Sequence, residues 1–249
     1  MKNPEGPGAR GVEEAVRGFL EAVAALESDL RGLALPSTDP SSVPSEISGL
    51  KYERLRAVLA VRMQAFYAAY DGFVHAALAE EARPVTCSSG CAACCRHFVS
   101  SVEPFEIVAL HEAIKDREDY PDLLFASHKN ALAYEKILEA ENPDDEAPDR
   151  ALHRYFLKGR PCPFLAKDGS CGVYEARPMS CRMFFAESPA RFCAGKAIVS
   201  PWNRNFQIEL PDVAEEALAR CSQHLAALEI PEDLFPGVLA ANALFGQYS

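Results

Sequence analysis

The chain is 249 residues long, with 49% hydrophobic and 24% charged residues and a formal net charge of -11 at pH 7. That length and balance can bury the core of one domain, with room for an appended arm. The acidity argues against a sequence-tolerant nucleic-acid binder, which needs a basic face to displace counterions from phosphates, so no nucleic acid is expected as a partner.

The first ten residues, MKNPEGPGAR, carry no apolar h-region, and Glu13, Glu14, Arg17 and Glu21 interrupt the segment behind them. Neither a secretory signal nor a membrane span is therefore expected, and the expected location is cytoplasmic. Val12, Val16, Phe19, Leu20, Val23, Leu26 and Leu30 recur at three- and four-residue steps, which predicts an amphipathic helix ending near Arg31-Gly32. Leu35 to Gly49, rich in Pro and Ser, reads as a linker. A longer helical pattern runs from about Leu50 to Ala82, with Gly72 as the place for a bend. Farther on, Pro104 marks the first position of a helix over EPFEIVALHEAI, and PDLLFASHKNALAYEKILEA carries another before the acidic ENPDDEAPDR stretch, read as a loop. Asp168-Gly169 is a tight-turn signal between two short apolar runs and predicts a small hairpin. PDVAEEALARCSQHLAAL predicts a further amphipathic helix, followed by a short apolar one. The expected fold is mainly α: a helical scaffold around a cysteine-rich metal centre with a small β-hairpin. Three segments are expected, an N-terminal helical arm over 1–82, a cysteine-cluster metal-binding domain over 83–200, and C-terminal helices over 201–249 packing on it.

The nine cysteines carry the functional signal. Cytoplasmic thiols stay reduced, so clustered ones there point to metal ligation or redox chemistry rather than disulfides. Cys87, Cys91, Cys94 and Cys95 stand at offsets of 0, 4, 7 and 8, which on a helix would bring all four to one face; a turn followed by a helix from Cys91 is the alternative, because Gly90 weakens a helix there. Packing as small hydrophobes accounts for one or two such thiols, but four in nine positions favour ligation to a soft metal. A second set follows at Cys162, Cys171 and Cys181, with Cys193 beyond. Cys221 falls on an apolar stripe with Leu218 and Leu225 and is assigned to the core.

The cluster, together with CPFLAKDGSCGVYEARPMSCR, resembles the CxxCxxCC family, the YkgJ-type cysteine cluster proteins, described as zinc- or iron-chelating. The resemblance spans about Thr86 to Phe185 and rests on Cys94-Cys95, the Cys162 to Leu165 run, Cys171 with Val173-Tyr174-Glu175, and Arg177-Pro178 leading to Cys181-Arg182. Cys87 and Cys91 are separated by three residues instead of two, a departure from the pattern. The resemblance implies metal binding, and through a relative that is a flagellin lysine N-methylase it also implies an alternative, a group-transfer enzyme such as a protein lysine methylase.

The expected ligands are thus Cys87, Cys91, Cys94, Cys95, Cys162, Cys171, Cys181 and Cys193, holding zinc or iron, with an iron-sulfur cluster among the options. From Arg150 to Arg204 ten basic residues (150, 154, 158, 160, 167, 177, 182, 191, 196, 204) face three acids (168, 175, 187), a local excess that offsets thiolate charge. Arg177 and Arg182, flanking Cys181, are the expected cofactor-binding donors to sulfur, against an ordinary solvated face as the simpler reading. No Gly-rich phosphate loop, GxSxG or HExxH is present, and no catalytic residue or protein partner is identified. A metal-free thiol redox sensor is the third alternative.

Overall fold

A computed structural model describes residues 7–33, 35, 49–87, 90–193 and 202–246. Among the described residues, eight α-helices, a few short 3-10 turns and one short antiparallel strand pair form the regular structure, so the fold is mainly α. Helix α1 spans Pro7–Gly32 and α2 spans Gly49–Glu80, unbroken through Gly72. Nearly all of the expected linker lies outside the described residues. Phe19, Val23, Leu26 and Leu30 of α1 are buried against α2, where Phe19 meets Phe66, Tyr70 and Phe73 at ring-centroid distances of 5.5, 5.3 and 6.4 Å. Each such aromatic contributes about 1.5–3 kcal/mol by leaving water, and this face explains why the three- and four-residue spacing sets the helices.

Helix α3, Pro104–Ile114, starts with proline in its first turn and a reciprocal cap between Glu103 and Glu106. Helix α4, Tyr120–Leu138, follows, then α5, Ala147–Leu157. The last four residues of ENPDDEAPDR are thus helix instead of loop. Pro148 occupies a first-turn position that needs no N–H, while Ala147, Ala151 and Tyr155 form a buried stripe at four-residue steps. The short α6, Met179–Arg182, leads into β1, Phe184–Ala186, which pairs antiparallel with β2, Asn205–Gln207, in the register Phe185 opposite Phe206. Helices α7, Asp212–Gln223, and α8, Leu234–Phe245, end the described chain.

One continuous buried cluster runs from Phe19 to Phe245, with α7 packed on α1 and α8 on α3 and α4. Cys221 is fully buried in it and its thiol lies 3.7 Å from the Val23 carbonyl oxygen, in keeping with its assignment to the core. Phe98 ties the cysteine-bearing loop to this cluster, stacked on Tyr134 at 3.9 Å and edge-on to Phe235 and Tyr155. No helix among the described residues is long and apolar enough to cross a membrane.

Candidate metal centre

The segment carrying the first four cysteines is not the continuous helix that their spacing suggested. Gly90 takes a φ of +80°, in the left-handed region, and only Cys94–Arg96 make a single 3-10 turn. Cys87 lies in extended chain beside β1: Thr86 donates its N–H to the Ala186 carbonyl at 2.9 Å, and Ala186 donates its own N–H to the Cys87 sulfur at 3.3 Å. The Thr86 hydroxyl adds a bond to the Ser188 carbonyl at 2.6 Å. What binds this segment is therefore a strand edge, with a tight turn replacing the helical face.

The second cysteine group comes to the first through the turn at Asp168-Gly169. Ala166 and Ser170 close that turn backbone to backbone at 2.9 Å, and Leu165 and Cys171 form one isolated antiparallel bridge. The expected hairpin is thus reduced to a single bridge, and the regular pair is β1–β2. Gly169, at a φ of +84°, packs its backbone directly on Gly90: a Cβ placed on Gly169 would sit 2.8 Å from the Gly90 carbonyl oxygen. Two residues without side chains let the turn press on the cysteine loop. The Cys162 N–H completes the junction by donating to the Cys95 carbonyl at 2.7 Å.

These contacts leave two adjoining cavities. Cys91, Cys94, Cys95, Cys162, Cys171 and Cys181 line an inner one of about 460 Å³, and Cys87, Cys91, Cys94 and Cys193 line an outer one of about 260 Å³. All nine cysteines are free thiols. Burial pushes the Cys162 and Cys181 thiols up to about 12, with neighbouring thiols adding to the rise and Arg177 opposing it at Cys181. The Cys95 thiol donates to Cys94, which together with Arg177 and backbone N–H groups favours the Cys94 thiolate, while Cys95 is driven the other way. Burial, and then the charge of His153, lowers His97 to about 4; its neutral ring packs 4.1 Å from Phe156. His97 borders both cavities.

Thiol donors suit zinc and iron by their softness. The side chains ring the cavities without closing on one point, since among the described residues no three His, Cys, Asp or Glu groups are spaced to hold a single ion.

The two arginines flanking Cys181 part company. Arg177 faces the thiols, lines both cavities and favours the charged forms of Cys94 and Cys181. Arg182 is 8% exposed, and its three nitrogens are engaged elsewhere: Nε with the Arg177 carbonyl at 2.6 Å, Nη2 with the Tyr174 and Glu175 carbonyls, and Nη1 with Asp71 of α2 at 2.8 Å. It organises the turn around Cys181. Tyr174 lines both cavities and is 57% exposed, whereas Trp202 is 71% exposed and lines neither.

Glu106 escaped sequence reasoning, although an acid inside the apolar run PFEIVAL is a visible signal. It is fully buried and accepts the Met179 N–H at 2.9 Å, anchoring the start of α6, and thus Cys181, to α3. Burial raises its carboxyl to about 7.

No curated protein and no solved structure matches the chain. Residues 86–199 match the CxxCxxCC family model, described as "Putative zinc- or iron-chelating domain".

Proposed function

We propose that the protein binds zinc or iron through cysteine thiolates, with Cys94, Cys95, Cys162, Cys171 and Cys181 as the inner donor set and Arg177 offsetting their charge. The observation that carries this reading is the inner cavity itself, to which distant parts of the chain bring six cysteines. Thiols so grouped and unliganded invite oxidation, whereas bound to a soft metal they are protected. Zinc would supply a closed structural bond set, and iron would supply a redox-active centre.

The test is anaerobic purification followed by elemental analysis and an absorption spectrum. Stoichiometric zinc in a colourless protein identifies the first case, and iron with visible thiolate-to-iron absorption the second. Cys162→Ser and Cys181→Ser should each lose the bound metal. A folded, metal-free protein with the same melting temperature in chelator would overturn the proposal and favour the thiol sensor.

A further inference from the structure

We propose that the groove along the outer face of α2 is a docking site for a basic amphipathic helix of a partner protein, seated beside the thiol-lined cavities. The inference goes beyond the metal-binding reading and does not depend on it.

A helix on the surface of a domain normally turns a charged face to water. Helix α2 does not. From Ala57 to Tyr70 its one charge is Arg62, which is bound to Asp29 of α1 at 2.6 Å. The core takes Leu59, Met63, Phe66, Tyr67 and Tyr70. Ala57, Ala60, Val61, Gln64, Ala65 and Ala68 are left exposed, Val61 at 70%. All of these but Gln64 are apolar, so α2 carries two apolar faces, and the described residues cover only one.

The uncovered face borders a groove of about 720 Å³, walled on its other side by Ala109 and Glu112 of α3 and by the 3-10 turn Tyr174–Ala176. Along α2 the lining runs from Glu53 to Asp71, and at 1.5 Å per residue that makes the groove about 27 Å long. Ala57, Ala60, Gln64 and Ala68 line it at three- and four-residue steps. Small residues so spaced admit the close approach of a second helix and leave holes for its larger side chains.

Charge selects the occupant. Glu53 and Glu112 stand toward one end of the groove, Asp71 and Glu175 toward the other, and the two arginines in the lining are already engaged: Arg56 with Glu53 and Glu112, Arg182 with Asp71. Lys115 adds a third cation on Glu112, at 3.3 Å. Glu53 and Glu175 remain exposed to a partner. A helix with an apolar stripe and basic residues at both ends complements this arrangement. A second copy of the chain does not. Pairing the same face antiparallel sets Glu53 of one copy toward Asp71 and Glu175 of the other, pairing it parallel sets each acid against itself, and each copy carries a net charge of -11. Asp71, Tyr174 and Arg182 also line the outer thiol cavity, so the docked helix ends beside it.

The experiment titrates the full chain against a fluorescein-labelled peptide of about 18 residues, matching the groove as a helix, with leucines at three- and four-residue steps and lysines at both ends. Anisotropy should show saturable binding about tenfold or more tighter than that of three controls: a peptide with glutamates in place of the lysines, a scrambled one, and one with a central proline. Ala60→Trp and Ala68→Trp fill the groove from exposed positions; each should weaken binding about tenfold with the melting temperature retained. Glu53→Lys/Glu175→Lys should shift preference toward the acidic peptide. Absence of binding by the basic peptide, equal binding of the basic and acidic peptides, or full affinity in both Trp variants would overturn the docking site. Equal binding of the proline peptide would rule out a helix as the occupant. A dimer of the unliganded chain in sedimentation, dissolved by Ala60→Trp, would assign the face to a second copy and overturn the proposal as well.

Discussion

Gly169 shows how much of the centre depends on a missing side chain. An alanine there would hold a strained positive φ and set its methyl against the Gly90 carbonyl oxygen, both of which force the turn away from the cysteine loop. Gly169→Ala is expected to cost about 1–3 kcal/mol, and for a chain of this size each kcal/mol lowers the melting temperature by about 2–4 °C. Gly90→Ala carries the φ strain alone, since its nearest foreign atom is 3.8 Å away, and should cost less. Thermal melts of both variants check the order. The two arginines are expected to separate in the same way. Arg177→Ala should weaken metal retention by about 10 to 100-fold with the fold intact, because the residue acts on thiolates. Arg182→Ala removes a donor from Asp71 and from the Tyr174, Glu175 and Arg177 carbonyls and should lower stability by about 1–3 kcal/mol. Equal effects of both variants on retention and on melting would contradict this division.

Among the elements, the docking of α6 on α3 is sensitive to pH. Glu106 keeps its proton up to about 7 in the folded state, against 4.5 ordinarily, because it is wholly buried, with Glu103 adding to the rise and the Met179 N–H opposing it. The folded chain therefore binds more protons than the unfolded one in that window, so stability falls as pH rises from about 4.5 to 7 and stays lower above it. The full effect is about 3 kcal/mol. Glu106→Gln retains an oxygen for the Met179 N–H and should flatten this slope in urea melts at pH 5 and pH 8; an unchanged slope would show that other groups set it. Helices α1, α2, α3 and α7 were legible in the sequence because their buried faces repeat at three and four residues. Helix α5 was not, since its proline and acids also describe a loop. The offsets of Cys87 to Cys95 suggested one helical face, but the positive φ of Gly90 ends any helix there. The β1–β2 pair is three residues a side, too short for an alternating pattern, and the role of Arg182 depends on Asp71, 111 positions earlier. The grouping of the thiols was readable from residue type and spacing, but its division between two cavities needed the tertiary contacts.

For the molecule as a whole, most of the buried core lies outside the stretches that carry the candidate centre, which touch it through Phe98, Phe164, Val173 and Met179. Helices α3, α4 and α5 lie between Thr86 and Phe185 but are tied into the common core. Chelation is therefore expected to loosen the cysteine-bearing stretches within 86–97 and 160–193 and to leave those helices in place. Amide exchange should rise there while α1, α2 and α8 keep their protection, and uniform loss of protection would show that the centre supports the entire fold. The strand-edge bond from Ala186 to Cys87 joins positions 99 apart, and β1 in turn waits for β2, which ends at Gln207. A chain leaving the ribosome therefore exposes its first four cysteines long before the residues that fix them exist. Those thiols pass through synthesis unshielded, and the centre is completed only when most of the polypeptide has been made.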